Sequence, residues 1–479
     1  MSSTQLFSRS LYALLIAAFA LPAFAQSFRV QCPETTSLHP NGSVVNPAHP
    51  GLVKCQEIGG GDGFATMGDG TQIYLFGFAP LSGLGDPAAA VDGILTGKSG
   101  TQTPKVFNSA TDARRAKIEP ADIMNTGVLY SNSPAPLITI DEDDELFLTL
   151  SNVGQIMRPD LFEQHTVHFH GYPNASAFFD GVPDASIAIN IAGSFTYYYT
   201  APDAGTYFWH CHIAPPEHLQ MGMVGQLYVK PRQNRVPTSI ALKVALRAAN
   251  KTAAVNPAAT GASCSDILCT GQTPLPSVDT GAMGGGGAIK YAYNDGDGST
   301  RYDVEYPIQM MGFDPNFHYV GMTFNPEAFT DMKDKYFLLS GRSYPDTINP
   351  APISTLSSDG VSRPSQPLPS LITINKTGGQ TRALLRISNL SVTEFSTLAT
   401  VGIPMTVVAL NARLLRDMAG NNMYYDTNSI TMGGGESTDV ILDATNVPAG
   451  TYFLYSTNLD HLSNDAENFG GMMTEIVVL

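Results

Sequence analysis

Two histidine-rich segments around one cysteine constrain this chain more strongly than any other feature. Residues 165–171 read His-Thr-Val-His-Phe-His-Gly, and residues 210–223 begin with His-Cys-His and continue through a Pro-Pro loop with one histidine and two methionines. Six of the ten histidines lie in these two segments. A lone histidine on a strand is usually an ordinary polar side chain, but six at this spacing around a thiol predict a metal site.

The start of the chain predicts export. Arg9 is followed by an apolar run over residues 11–24, and Ala23-Phe24-Ala25 forms a small-residue cleavage site before Gln26. This run is shorter than the roughly 20 apolar residues of a membrane-spanning helix, and we expect no membrane span elsewhere. The sequence therefore predicts a signal peptide over residues 1–25 and a periplasmic or extracellular protein.

The cysteines fit an oxidising compartment. The chain has five of them. We expect two local disulfides, Cys32–Cys55 and Cys264–Cys269, because each pair is close in sequence and disulfides persist in secreted proteins. Cys211 then remains unpaired, and its histidine neighbours give it a role as a metal ligand.

Composition favours strands and excludes one class of partner. Charged residues make up only 14% of the chain, which contains 45 glycines and 33 prolines. Such a mixture is typical of short strands and many turns. The net charge of −16 leaves no basic face for a phosphate backbone, so we expect no nucleic-acid partner.

The first strand-rich unit is predicted over residues 63–232, after an irregular segment at 26–62. Within it, residues 137–140 and 145–150 alternate like strands, and we expect them to pair around the acidic turn at 141–144.

A second strand-rich unit is predicted over residues 233–479, with a Gly-rich insertion at about 251–300. The two units look like imperfect copies, because Ala204-Gly-Thr-Tyr-Phe208 in the first matches Ala449-Gly-Thr-Tyr-Phe453 in the second. A duplicated all-β sandwich is the simplest interpretation.

The chemistry of the two segments indicates a type 1 copper site. Such a site takes two imidazoles and one thiolate, with a weak axial thioether. His165, Cys211 and His218 supply the first three ligands, and Met221 or Met223 supplies the fourth. Zinc is an alternative for this set, but the soft thioether favours copper.

Strand parity predicts a second copper site. Successive side chains of a strand point to opposite faces, so the type 1 ligands point one way and the other imidazoles of both segments point the other way. Cys211 is also covalently adjacent to two of those imidazoles, which gives electrons a short path between the sites. The second site comprises His168, His170, His210 and His212.

Several nearby polar residues admit two interpretations. Glu163, Glu217 and Asp180 could shuttle protons or attract a cationic substrate, or they are simply solvated carboxylates. His318 and His461 could be unorthodox ligands, or they are ordinary polar residues.

The two segments resemble those of multicopper oxidases and copper nitrite reductases. The family pattern is His-Pro-x-His-x-His-Gly, then His-Cys-His, then a histidine and a methionine. The resemblance implies two cupredoxin-like Greek-key β-sandwich domains. It assigns His165 to type 1 copper and favours Met223 over Met221 by the family's His-to-Met spacing. It also matches four residues to trinuclear-cluster ligands: His168, His170, His210 and His212.

The second unit departs from the family pattern. Where a second His-Cys-His is expected, the chain has Tyr455-Ser456-Thr457, and no histidine occurs at 398–402. Thr457 also stands where a nitrite reductase trimer takes its third type 2 ligand, and His168 replaces the catalytic aspartate of those enzymes. We therefore expect a degenerate second domain without copper ligands.

Three hypotheses about function follow. The first is a secreted copper oxidoreductase, in which a type 1 copper takes electrons from a phenol or a reduced metal ion. It passes them to type 2 or type 3 copper, where a small acceptor such as O2 is reduced. The second is an electron-transfer or copper-binding protein without turnover, and the third is a nitrite-reductase-like enzyme. The resemblance also implies a homo-oligomer, a trimer with sites between subunits.

Overall fold

The computed structural model describes residues 31–33, 35–40, 51–81, 120–171, 176–249, 280–321, 328–417 and 419–479. The predicted signal peptide (1–25) and the predicted Cys264–Cys269 disulfide lie outside these residues, as does most of the Gly-rich insertion.

The first half of the chain forms a sandwich of two four-stranded sheets. One sheet has the order β2-β1-β4-β6 and the other the order β3-β8-β7-β5. Apolar side chains from both sheets, including Trp209 and Tyr197, fill the space between them. The strands are β1 (Val53–Thr66), β2 (Gln72–Pro80), β3 (Ile138–Asp141), β4 (Glu145–Gly154), β5 (His168–Phe169), β6 (Ser194–Thr200), β7 (Gly205–His210) and β8 (Val224–Lys230).

The predicted irregular segment at 26–62 is too long, and the first domain begins earlier than residue 63. The strand β1 starts at Val53, pairs with β2 and β4, and is buried along most of its length. The predicted Cys32–Cys55 disulfide is present and attaches the preceding segment to this strand, with the two Cα atoms 5.9 Å apart. The glycines at 59–61 lie in the strand itself, where they allow close approach of a neighbour.

The expected pairing around the acidic turn is wrong. The strand β3 pairs with β8 in one sheet, whereas β4 pairs with β1 and β6 in the other. Residues 141–144 therefore cross from one layer to the other instead of closing a hairpin. Both strands are buried, so the alternation of side chains could not distinguish the two arrangements.

The second half forms another sandwich, which confirms the predicted all-β, two-sandwich class. Its larger sheet has the order β19-β18-β22-β16-β11-β12-β24-β25, with β20 also on β18, and faces a sheet of order β15-β26-β23-β17-β21. Two small hairpins, β9–β10 and β13–β14, complete it. The strands are β9 (Lys290–Tyr291), β10 (Arg301–Tyr302), β11 (Val304–Phe313), β12 (Tyr336–Leu339), β13 (Ile353–Leu356), β14 (Ser362–Gln366), β15 (Ile372–Ile374), β16 (Arg382–Asn389), β17 (Ser396–Val401), β18 (Met405–Leu410), β19 (Arg413–Leu414), β20 (Tyr425–Thr427), β21 (Ser429–Met432), β22 (Ser437–Asp443), β23 (Gly450–Ser456), β24 (Ser463–Asn464), β25 (Glu467–Asn468) and β26 (Met473–Val478).

Helices are short and connect the strands. None of those in the described parts of the chain has the length and apolarity needed to cross a membrane. The α-helices are α1 (Pro120–Gly127), α2 (Pro215–Gln220), α3 (Leu242–Ala249) and α4 (Pro315–Gly321). The 3-10 helices are Ala177–Phe179, Arg232–Arg235, Phe329–Asp331, Asp346–Ile348, Lys376–Gly378 and Leu459–Leu462.

The two sandwiches share a buried interface. Leu75 and Phe208 of the first domain pack with Phe313 and Leu338 of the second in one apolar cluster. Beside it, the fully buried Arg386 of the second domain lies over the ring of Tyr228 of the first, 4.6 Å from its centroid. This interface fixes the loops of both domains relative to each other.

Candidate metal centre

The cysteine lies where a strand of the first domain ends. The strand β7 stops at His210, and Cys211 opens the loop of residues 211–223 that leads to β8. His165 approaches from the connection between β4 and β5, where its backbone forms an isolated bridge with Ile189. The two sheets of the sandwich therefore deliver these residues to the same end of the domain.

Three predicted type 1 ligands converge on one point. The Nδ1 atoms of His218 and His165 lie 3.2 and 4.0 Å from Cys211 Sγ. All three side chains are completely buried, and their ligand atoms lie within 4.8 Å of one another. The backbone N–H of Thr166 also donates to the sulfur at 3.4 Å, which favours a thiolate. Two imidazole nitrogens and a sulfur around one point are a donor set that copper accepts.

The loop that carries His218 is folded tightly by its own sequence. Pro215 and Pro216 occupy the first turn of α2, where a missing N–H costs nothing. Beyond the helix, the Met223 N–H donates to the His218 carbonyl at 2.8 Å, and the Cys211 N–H donates to the Met223 carbonyl at 3.1 Å. Met221 and Met223 are both fully buried beside the site. The assignment of Met223 as axial ligand stays a prediction.

A glycine of β1 makes room for His165, and sequence reasoning missed it. A Cβ atom on Gly60 would lie only 2.7 Å from His165 Cδ2. The signal was present as the run Gly59-Gly60-Gly61, but we interpreted it as irregular chain. A glycine inside a strand can mark a close approach of another group.

The buried ionisable groups at this site shift one another's pKa values. Burial alone would raise the pKa of the Cys211 thiol, but the imidazoles of His218 and His165 lower it well below its usual value. Burial alone would lower the pKa of His218, but the Cys211 thiolate and Glu163 raise it to about 10. The environment thus favours the thiolate, which is the form that binds metals.

Glu163 is a contact of the site, not a solvated carboxylate. Its Oε2 atom lies 3.4 Å from His218 Nε2, and its side chain is 25% exposed. The hydrogen bond from His218 lowers the pKa of Glu163. Glu163 is therefore the partly exposed group that joins the buried ring of His218 to the surface. Its position two residues before His165 was the available signal.

The remaining four histidines gather on the other side of Cys211. Nitrogens of His168, His170 and His210 lie within 4.8 Å of one another, and the Nε2 atoms of His170 and His210 are 2.9 Å apart. The ring of His212 lies 5.0 Å from that of His168 and 5.5 Å from that of His210. The structure thus brings together all four predicted residues, and their role as ligands stays a prediction.

The strand β5 is too short for side-chain alternation alone to produce this grouping. The strand β5 comprises only His168 and Phe169 and pairs with the end of β7, His168 opposite His210. His165 lies outside it. An isolated bridge at His165 and two irregular residues, and not strand alternation alone, separate His165 from the other histidines.

Hydrogen bonds hold the outer nitrogens of this cluster. His168 Nδ1 lies 2.7 Å from the Asp180 carbonyl oxygen, and His210 Nδ1 lies 2.6 Å from that of Cys211. A ring that donates from Nδ1 presents the Nε2 lone pair to a metal. Burial lowers the pKa of His170 to about 4 and that of His210 to about 3, so both rings stay neutral. Neutral imidazoles with oriented lone pairs fit copper.

The second domain supplies no equivalent ligands in the described part of the chain. The strands β17 and β23 pair as β5 and β7 do, but they place Leu398 opposite Ser456. His461 lies nearby with its Nδ1 atom 3.1 Å from Ser456 Oγ and its ring stacked on Phe337. His318 is buried, and its Nε2 atom lies 3.0 Å from the Gln220 carbonyl. Neither histidine reaches the two clusters.

Comparisons with known proteins point to one family. Two family models, both described as multicopper oxidase, match residues 112–234 and 330–476, together more than half of the chain. Laccase abr2 of Aspergillus fumigatus is 32% identical over 104 residues, which are 21% of this chain and 16% of that protein. Multicopper oxidase MmcO of Mycobacterium tuberculosis is 27% identical over 133 residues, 28% of this chain and 24% of that protein. The matched stretches thus span less than a quarter of these relatives.

A solved structure supports the same fold over most of the chain. Blue Copper Oxidase from Nitrosomonas europaea is 18% identical and superposes with a TM-score of 0.52, covering 89% of this chain and 86% of that chain. This likeness confirms the cupredoxin-like sandwiches. Together with the two family matches, it shows that the chain belongs to the multicopper oxidase family.

Proposed function

We propose that this chain is an extracytoplasmic copper oxidoreductase that takes electrons at the His165–Cys211–His218 site and delivers them to a small acceptor at the four-histidine site. Copper bound at these two places supplies one-electron chemistry, which neither imidazole nor thiolate provides alone. The observation that carries the proposal is the position of Cys211. Its sulfur belongs to the first cluster, while its chain neighbours His210 and His212 belong to the second.

The electron donor approaches on the Glu163 side. His218 is buried, and Glu163 is the partly exposed residue in contact with its Nε2 atom. A carboxylate there can accept a proton from a phenol or attract a reduced metal ion. Both donor classes remain part of the proposal.

The acceptor site is the space that the four imidazoles surround. His168 and His170 remain partly accessible, whereas His210 is buried, so a small molecule such as O2 can approach from the side of the first two. The protein's contribution is to hold three rings close together, with those of His170 and His210 kept neutral, so that little reorganisation is needed when the acceptor binds.

The first experiment is to count copper ions in the full chain after copper loading. Two or more copper ions per chain, of which one gives the blue absorption of a copper–thiolate bond, are the expected result. One copper per chain, bound at Cys211, would instead support the electron-transfer protein without turnover. That outcome overturns the oxidoreductase proposal.

Two variants separate the sites. We expect Cys211→Ser to lose the blue absorption and one copper while it keeps copper at the four histidines. We expect His168→Gln to show the reverse, with the blue absorption intact and the second site weakened. If the blue absorption survives in Cys211→Ser, the assignment of the first site is wrong.

We also propose export and self-association. Export predicts that the mature protein begins at Gln26, which N-terminal sequencing of the secreted protein tests. Self-association to a trimer is supported by large apolar side chains that the second domain exposes. Light scattering of the purified protein tests it, and the mass of a single chain would contradict it. These side chains are Phe395, Leu459 and Phe469.

A further inference from the structure

The ring of His170 has a partner that its own domain does not supply. His168 and His210 direct Nδ1 at carbonyl groups of the first domain, those of Asp180 and Cys211. His170 instead directs Nδ1 at Gly435 of the second domain, whose backbone is the hydrogen-bond partner that opposes the lowering of the His170 pKa by burial. Its Nε2 atom faces His210 at 2.9 Å, so Nδ1 is the atom left to face Gly435.

The contact is so close that only glycine fits. A Cβ atom on Gly435 would lie 2.9 Å from His170 Nδ1 and 3.1 Å from its Cε1. Gly435 also has a φ of +86°, a conformation that residues with side chains rarely adopt. Both features select glycine at this position.

A dedicated set of hydrogen bonds holds the loop that carries Gly435. Its N–H donates to the Asn389 carbonyl at 2.8 Å, and the Asn389 Nδ2 atom donates to the Met432 carbonyl at 2.8 Å. The Gly433 N–H donates to Glu436 Oε2 at 2.6 Å and closes the turn. These hydrogen bonds therefore fix the backbone at Gly435 independently of its contact with the His170 ring.

We propose that Gly435 is a positioning residue for the second metal site. Its backbone carbonyl accepts the Nδ1–H of His170 and so keeps the Nε2 lone pair directed at the cluster. The described part of the second domain places no side-chain ligand at this site, yet through this contact the domain still shapes it. The inference rests on the proposed function, because it assumes that the four histidines bind copper.

The test compares two glycine variants of the full chain. Gly435→Ala adds both a strained φ and the clash with His170. Gly360→Ala is the matched control, because Gly360 has a φ of +78° but nothing within 4 Å of its Cβ position. We expect Gly435→Ala to keep the blue absorption and to bind copper at the second site about ten- to hundredfold more weakly, while Gly360→Ala binds it like the unaltered chain. Equal copper binding by both variants would overturn the proposal.

A second measurement covers the case in which Gly435→Ala does not fold. Nitrogen-15 NMR of the unaltered chain loaded with diamagnetic Cu(I) reports which ring nitrogen of His170 carries the proton and which is free to bind the metal. We expect the Nδ1–H tautomer, and the Nε2–H tautomer would contradict the role of Gly435. A chain that binds copper only at Cys211 overturns the proposed function instead, so the two failures are distinguishable.

Discussion

The two methionines beside Cys211 are equally buried, although they are predicted to play different roles. Met221 and Met223 both have 0% of their surface exposed, and both lie on the loop that returns from α2 to β8. Only one of them can be the weak axial ligand of a type 1 copper. They therefore form a matched pair for mutation.

We expect Met223→Leu to raise the reduction potential of the blue copper, and Met221→Leu to leave it nearly unchanged. A thioether donor stabilises Cu(II) more than Cu(I), so its loss favours the reduced form. A Met-to-Leu exchange nearly conserves volume and costs less than about 1.5 kcal/mol of stability. A redox titration of the blue absorption makes the comparison. The reverse result would assign Met221 as the axial ligand.

What the sequence predicts best is which side chains come together in the two clusters. His-x-x-His-x-His and His-Cys-His are local patterns, and copper chemistry leaves few other donor sets to consider. Gly60 and Gly435 act through contacts with His165 and His170, which are distant in sequence. A glycine offers no side chain whose chemistry could indicate such a role, so these two positions required the structure.

At the scale of elements, α2 is tied to the second domain by a buried carboxylate. The Gln220 side chain at the end of α2 donates to Asp334 Oδ1 at 2.9 Å, and Thr393 donates to the other carboxylate oxygen. Burial, reinforced by Glu394 and Asp314, raises the pKa of Asp334 to about 6 against the opposing effect of these hydrogen bonds. The loop that carries His218 thus depends on a titratable group of the other domain.

This raised pKa predicts a loss of stability as the pH rises. Between about pH 4 and pH 6 Asp334 is ionised in the unfolded chain but still protonated in the folded chain. The free energy of unfolding therefore falls by up to about 3 kcal/mol over this range because of this group. Asp334→Asn cannot ionise and should lack this part of the pH dependence. Chemical denaturation of both proteins across this range measures the difference. Parallel pH profiles would show that Asp334 ionises normally in the folded state.

A second prediction about stability concerns Arg386, which lies at the domain interface. Its guanidinium is completely buried, 2.9 Å from Glu305 and 4.0 Å from Asp439. Arg386→Met leaves Asp439 without its cation and Glu305 with only Lys230 at 3.8 Å, and should destabilise the protein by about 3–5 kcal/mol. Arg363→Met is the control, because its ion pair with Asp359 lies at the surface and is worth less than about 1 kcal/mol. Equal midpoints of denaturation for the two variants would contradict this.

The arrangement of strands was predictable only in part. The apolar runs at 137–140 and 145–150 identified β3 and β4, both of which are buried strands. The strand β3 lies in one sheet because it pairs with β8, about 90 residues further along the chain. The strand β4 lies in the other sheet because it pairs with β1. A local pattern carries no information about such partners, and a short acidic turn fits both arrangements.

At the scale of the whole molecule, the domains should unfold together. Chains of this length often contain domains that move and melt separately. Here an apolar cluster and a buried ion network cross the interface. Separating the two sandwiches would therefore expose buried apolar and charged side chains to water.

We expect a single cooperative thermal transition. The only tryptophan, Trp209, is buried in the first domain and reports on that domain alone, whereas calorimetry reports on the whole chain. The fluorescence midpoint of Trp209 and the calorimetric midpoint should therefore coincide. Two heat-absorption peaks, only one of which follows the fluorescence, would mean that the interface does not couple the domains.

The hydrogen bond between His170 and Gly435 has a consequence for how such proteins diverge. A domain without metal-binding side chains is free to vary at the corresponding positions, where this chain pairs Leu398 with Ser456. A contribution made by a peptide carbonyl survives such variation, since it depends on the path of the main chain. The turn around Gly435 and Asn389, which holds it, would then be under selection. A comparison restricted to the ligand positions would miss this contribution of the second domain to the metal site of the first.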